Sequence, residues 1–262
     1  MTERRGGEQV PTQEILVTGQ FGPQAAAYVE SAVHAQGEDL RQLAAMVAGR
    51  GDAHALDLGC GGGHVAFHIA PNVREVVAYD LSAEMLAAVA SEAAKRGLGN
   101  VVTRQGPAER LPFADGEFDV VMTRYSAHHW RDVKAALREA RRVVKKGGIA
   151  AFVDCVAPAD PLLDTYLQGI ELLRDPSHVR DYSVAEWTAM LGDAGFRPGA
   201  VTMRRVPLDY ASWIARQRTP QVQADAIRAL QRKMSADVVR HFAIADDGSF
   251  TIDVATMDAV PE

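Results

Sequence analysis

Apolar and polar positions along this chain follow two alternating periods. Short apolar runs at residues 53–58, 76–79, 101–104, 118–122 and 149–153 are bounded by turn residues and are too short for buried helices, so they read as strands. Between them the spacing changes to that of a helix. Val65, Ala66 and Ile69 form one apolar stripe, and Met85, Leu86, Val89 and Ala93 form a second, with Ser82 placed to cap it. A third helix is predicted over residues 132–144. Two more precede the first strand, one marked by Ala26, Val29 and Val33 and one by Leu40, Leu43, Ala44 and Val47. Strands and helices of this length in alternation predict an α/β protein with a doubly wound, mainly parallel sheet and ligands at the carboxyl ends of its strands.

The second half has a different texture. A helix over 162–173 leads into a charged connector, 174–181, and Ser183, Val184, Ala185 and Glu186 form a capping box that opens a helix to Ala194 and Gly195. A strand at 201–206, helices at 210–217 and 221–239, and a terminal hairpin pairing 242–244 with 250–260 complete the reading. No repeat or flexible linker interrupts the chain. The organisation expected is one domain over 16–262, with a cofactor half at 53–155. The acceptor half is 156–262 together with the helices at 20–50, and helical inserts lid the site. Residues 1–15 are polar, with glycines and Pro11, and are expected to be disordered or loosely attached.

The most informative stretch is Leu56-Asp57-Leu58-Gly59-Cys60-Gly61-Gly62-Gly63, after which the next strand closes on Asp80. Glycine is required where a backbone turns sharply and a ligand approaches closer than a Cβ allows, and an acid closing the following strand suits a ribose diol. A nucleoside-containing cofactor follows. The G-x-G-x-x-G fingerprint fails from Gly59, because His64 takes its last place, but the looser form from Gly61 to Ala66 leaves NAD open on spacing alone. Charge separates the candidates. Asp57 would repel a pyrophosphate, and residues 56–63 contain no Lys or Arg to offset it. The ammonium and sulfonium of S-adenosylmethionine (SAM) are cations that an acidic loop attracts.

Composition narrows the partners. A formal charge of −6 and a pI near 5.8 give no general attraction to nucleic acid or anionic membranes. Cys60 and Cys155 suggest no disulfide framework, and the N-terminus lacks the apolar core of a signal peptide. No run approaches the roughly 18 to 20 apolar residues of a membrane span. A cytoplasmic protein is expected. His64 and His68 have chelating spacing, but no third ligand lies nearby, so no metal is expected. Arg138, Arg141, Arg142, Lys145 and Lys146 gather at a helix end, where cations suit the macrodipole.

Asp57-Leu58-Gly59-Cys60-Gly61-Gly62-Gly63, then Asp80, then Ala108-Glu109-Arg110-Leu111-Pro112-Phe113, then Phe118-Asp119-Val120-Val121 resembles the class I SAM-dependent methyltransferases. Within them it looks like the branch around the quinone C-methyltransferase UbiE, which includes the YcgJ and YafE proteins. The resemblance implies a Rossmann-like, seven-stranded sheet and a SAM site. In that site Gly59 and Gly61 pass under the methionine moiety, Asp80 binds the ribose hydroxyls, and Leu81 and Met85 border adenine. Asp57, Cys60, Gly106, Ala108, Glu109 and Arg124 belong to the same implied site, and Phe21 and Tyr28 match an N-terminal aromatic pair that closes over the cofactor. Many relatives carry Asp where this chain has Pro107, so the adenine contact is expected to rest on backbone near Ala108 and Glu109.

The strand at 118–122 runs into Thr123, Arg124, Tyr125, Ser126, Ala127, His128, His129 and Trp130, which places two histidines at the mouth of the sheet. Methyl transfer is an in-line displacement, and proton removal is needed only for an OH, NH or CH acceptor. A histidine is suited to that near neutral pH. The stretch is similar to the His-Asp-Trp of plant O-methyltransferases, which implies His128 as base, with His129 in place of the Asp; the competing reading is that the pair shapes the loop. Tyr125, His178 and Arg180 are the candidate acceptor contacts, and Arg174, His178 and Arg180 could grip an anion. The function expected is SAM-dependent methylation of a small, apolar or aromatic acceptor. A nicotinamide oxidoreductase and a catalytically silent SAM binder are the alternatives.

Overall fold

The computed structural model describes residues 3–5, 8–25 and 37–262. At the N-terminus β1 (Glu3–Arg5) pairs antiparallel with β2 (Glu8–Val10), and α1 (Gln13–Phe21) follows, capped by Thr12. The sequence pattern did not mark these two short strands or the start of α1. Tyr28 and the helical pattern at 26–33 lie outside the described residues.

The remaining strands are β3 (His54–Leu58), β4 (Glu75–Asp80), β5 (Val101–Gln105), β6 (Phe118–Arg124), β7 (Val144–Cys155), β8 (Phe196–Leu208) and β9 (Phe250–Pro261). They form one seven-stranded sheet in the order β5-β4-β3-β6-β7-β9-β8. From β5 to β7 every pairing is parallel, and β9 runs antiparallel between β7 and β8. The order reverses between β3 and β6, which is where a doubly wound sheet opens a crevice for ligands.

Strand alternation sorts the core into two layers, because successive side chains face opposite sides of the sheet. Val76, Ala78, Met122, Ala151 and Val153 pack on one side with α2 (Glu38–Met46), α3 (His64–Ile69), α4 (Ala83–Lys95) and the later helix Pro161–Arg174. Val77, Tyr79, Val121, Ala150 and Phe152 pack on the other side with α5 (Val133–Val143) and the helix Val184–Asp193. These two later helices are α6 (Pro161–Arg174) and α7 (Val184–Asp193). The predicted caps form: Ser82 accepts from the Met85 amide at 3.2 Å, and Ser183 and Glu186 make the reciprocal capping box.

Two predictions about the C-terminal part need correction. Residues 221–239 split into α9 (Gln221–Gln231) and α10 (Ala236–His241), after α8 (Tyr210–Arg216). Residues 242–244 are not a strand: Phe242 continues the turn of α10, its amide bonding to Val238 at 3.0 Å. The long strand that follows pairs instead with β7 and β8. The expected hairpin is replaced by non-local pairing, because the apolar side chains of β9 find both cores at once.

Candidate functional site

The site is built at the carboxyl ends of β3, β4, β6 and β7. After Leu58 the chain turns through Gly59 (φ 70°) and Gly61 (φ 47°), backbone that side chains other than glycine seldom adopt. The Gly59 and Cys60 amides both donate to the Tyr79 carbonyl, at 2.8 and 2.9 Å, which docks the turn on β4. A Cβ at Gly59 would overlap the Ser126 hydroxyl, whereas one at Gly61 would meet nothing within 4 Å. Gly59 is thus needed for packing, and Gly61 borders open space.

Two acids flank that space. Asp80 closes β4, with Oδ2 accepting from the Gly61 amide at 2.8 Å and Oδ1 from the Ser82 amide at 2.9 Å. Burial raises its pKa and those backbone bonds oppose the rise. Each oxygen keeps a lone pair for a further donor. Asp57 is 1% exposed and accepts from the Ala66 amide at 2.9 Å, tying β3 to the first turn of α3. Burial pushes it up to about 7; the Ala66 amide lowers it, Asp80 raises it further, and Arg124 lowers it.

A cavity of about 440 Å³ opens over the turn. Of the residues expected at a cofactor, Phe21, Asp57, Gly59, Cys60, Gly61 and Asp80 line it, as do Leu81, Met85, Gly106, Ala108, Glu109 and Arg124. Pro107 is at the wall too, its carbonyl accepting from the Tyr79 hydroxyl at 3.2 Å. Glu109 turns to the Asp132 amide at 3.2 Å. Arg124 makes a buried ion pair with Asp39 of α2 and lies over the Tyr125 ring, 4.5 Å from its centroid.

The two histidines separate. His129 lines this cavity, but His128 does not; it borders a second cavity of about 130 Å³ beyond Phe21, Tyr125 and His129, which line both. The cause is a residue the sequence reading missed. Asp154, at the end of β7 and 2% exposed, accepts from His128 Nδ1 at 2.5 Å and from the His128 amide at 3.2 Å, drawing the ring toward β7. Burial works against the imidazolium, but Asp154, with Asp181 and Glu171 behind it, outweighs this and holds His128 up to about 9. His129 is pushed down to about 4 by burial and by the neighbouring His128, whose ring centroid is 4.2 Å away. Its Nδ1 lies 3.2 Å from the Ser177 carbonyl.

His178 lines the second cavity, where burial, His128 and His129 push it down to about 2, and its Nε2 bonds to Gln168 at 3.0 Å. Arg180 lies in neither lining; it bridges Asp164 at 3.1 Å and Glu186 at 3.3 Å instead. Arg174 is held by Glu171 at 3.4 Å and by the Trp213 carbonyl at 3.0 Å. The expected anion grip therefore does not assemble: acids within the protein already engage these guanidiniums. The signal that could have found Asp154 is an acid closing an apolar run, as it follows Val153.

A doubly wound sheet in this order, with a glycine turn after its first parallel strand and an acid closing the next, is the class I methyltransferase fold, and the chain belongs to the methyltransferase family. The family model described as "Methyltransferase domain" matches residues 56–152. Among relatives, the uncharacterized protein YafE of Escherichia coli (strain K12) is 49% identical over 197 residues, covering 75% of this chain and 95% of that one. The uncharacterized methyltransferase YcgJ of Bacillus subtilis (strain 168) is 40% identical over 200 residues, or 76% of this chain and 79% of that one. Its crystal structure superposes with a TM-score of 0.83 at 34% identity, covering 86% of this chain and 98% of that chain. A demethylmenaquinone methyltransferase of Chlorobaculum parvum is 34% identical over 119 residues, covering 45% of this chain and 47% of that one. No helix among the described residues is long and apolar enough to cross a membrane.

Proposed function

We propose that this chain moves a methyl group from SAM to a small acceptor by in-line displacement. The observation that carries this reading is the charge around the turn: Asp57 and Asp80 line the larger cavity, and residues 56–63 contain no Lys or Arg. The residues present fit such a cofactor. Gly61 leaves room that a Cβ would fill, Asp80 keeps lone pairs for two hydroxyls, and Asp57 supplies an acid for an ammonium. Leu81 and Met85 offer an apolar wall for a base, beside the backbone of Pro107 and Ala108. When bound, SAM supplies a methyl group activated by a sulfonium.

The chain's own part is positioning and proton handling. Phe21, Tyr125 and His129 border both cavities, so an acceptor in the smaller one would reach the larger one past them. His128 is the group equipped to take a proton, because Asp154 fixes its Nδ1 and leaves Nε2 for the acceptor. Its high pKa means that the free base form accumulates only as pH rises toward about 9. The Chlorobaculum parvum relative matches less than half of this chain, so it supports the shared methyl-transfer machinery and leaves the acceptor open.

Calorimetry with S-adenosylhomocysteine and with NADH tests the reading. Saturable binding of the first is expected, and binding of NADH alone would overturn it. Incubation of cell metabolites with a radiolabelled methyl donor then separates an enzyme from a silent binder: a labelled product is expected.

A further inference from the structure

The second cavity carries information about the acceptor that neither the glycine turn nor the relatives contain. It is lined by three carboxylates, Glu171, Asp175 and Asp181, against two guanidiniums, Arg174 and Arg216, and the His128 imidazole. Arg174 is committed to Glu171. Asp175 is 1% exposed and Asp181 is 2% exposed, and each keeps its Oδ2 buried without a hydrogen-bond partner. His178 Nε2, the imidazole nitrogen facing Asp181 Oδ2, is 3.9 Å away, beyond hydrogen-bond reach. A buried carboxylate oxygen without a donor is costly, so two of them on residues that line one cavity are unusual in a finished protein interior. Opposite these acids the wall is apolar, formed by Val206, Leu208, Trp213 and Ile252.

From this juxtaposition we infer that the smaller cavity is the acceptor chamber and that its ligand is a small molecule with an apolar body and a hydrogen-bond-donating, non-anionic head, a hydroxyl or an amine, directed at Asp175 and Asp181. The inference rests on the methyltransferase reading above and narrows it from any small acceptor to this class. An anionic head is disfavoured by the same residues. Asp181 is already pushed up to about 8, by burial first, with His128 opposing and Glu171, Asp154 and Asp164 adding to the rise. Once Asp181 is ionised, above about pH 8, a carboxylate or phosphate placed there adds to that repulsion, whereas an OH or NH donor relieves it. The inference refines the apolar or aromatic acceptor expected from the sequence: Trp213 and its aliphatic neighbours receive a body, and the acids receive a head.

The test, run at pH 8.5 so that Asp181 is ionised, uses the full chain saturated with S-adenosylhomocysteine and three matched probes: a phenylalkanol, a phenylalkylamine and a phenylalkanoate of equal chain length. Titration calorimetry should show the alcohol or the amine binding at least tenfold more tightly than the carboxylate, and their ranking distinguishes a hydroxyl head from an amine head. Asp175→Asn and Asp181→Asn, each close in shape, should lower donor-probe affinity about tenfold and leave S-adenosylhomocysteine binding unchanged. Equal or tighter binding of the carboxylate overturns the inference. So does a donor preference that survives both substitutions, or no donor binding at millimolar probe. If the parent protein fails to bind S-adenosylhomocysteine, the cofactor reading fails instead, whichever probe binds.

Discussion

At the scale of single residues, the site depends on acids held where water cannot reach them. Asp57 titrates near 7 because burial disfavours its charged form. A cationic ammonium needs that charge, so S-adenosylhomocysteine affinity should fall as pH drops below about 7, and Asp57→Asn should flatten the profile; calorimetry from pH 5.5 to 8.5 reads both. Asp80→Ala removes two turn contacts and the proposed ribose acceptor together, and should weaken the same ligand by roughly 1.5 to 3 kcal/mol per charged bond lost. Unchanged affinity in a folded variant would remove Asp80 from the site. For His128 the sign is that of a raised pKa: free, the ring titrates near 6.5, and folded it titrates near 9. Its pairing with Asp154 therefore stabilises the protein fully below about pH 6.5, and that contribution is lost as pH rises through 9. Unfolding free energies from denaturant titrations at pH 6 and pH 10 should differ by on the order of 1 to 3 kcal/mol more in the parent than in His128→Gln. With an OH or NH acceptor, the parent's kcat should climb toward pH 9, and His128→Ala should lose about a hundredfold and that limb with it.

At the scale of elements, α1 has an unusual role. It contributes Gln13, Glu14, Val17 and Phe21 to the larger cavity, yet none of its residues is buried. It is held by side-chain bonds, Gln13 Nε2 to the Ser177 carbonyl at 2.6 Å and Gln20 Nε2 to the Gln217 carbonyl at 2.8 Å. The double variant Gln13→Ala/Gln20→Ala should therefore release S-adenosylhomocysteine faster while moving the melting temperature little. A large fall in melting temperature would mean that α1 belongs to the core. Signals confined to one element were legible in the sequence: the glycine turn, the Ser82 cap, the Ser183 capping box and the apolar stripes of α2, α3 and α4 each appear where their spacing placed them. What failed was pairing at a distance. Nothing near His128 announces a partner 26 positions on, and residues 242–244 look as strand-like as residues 250–260 until the neighbours of β9 are known.

At the scale of the whole molecule, the two cores share one sheet, with side chains from the same strands alternating between them, so neither layer can melt alone and a single cooperative transition is expected by circular dichroism and tryptophan fluorescence together. The sheet also explains why fold class was legible when the extent and pairing of its last strands were not. Parallel strands buried on both faces leave near-continuous apolar runs, whereas β8, at the edge and largely exposed, leaves a weak alternation that marked only part of its length. The position of β9 has a further consequence for synthesis. β8 leaves the ribosome before β9, yet β9 is its only neighbour in the sheet among the described residues, so for more than forty residues of translation β8 has no described strand to join and β7 presents an open rim. Nascent chains stalled between those strands should be cut by protease within residues 196–208 and held by chaperones, and release of β9 should end both.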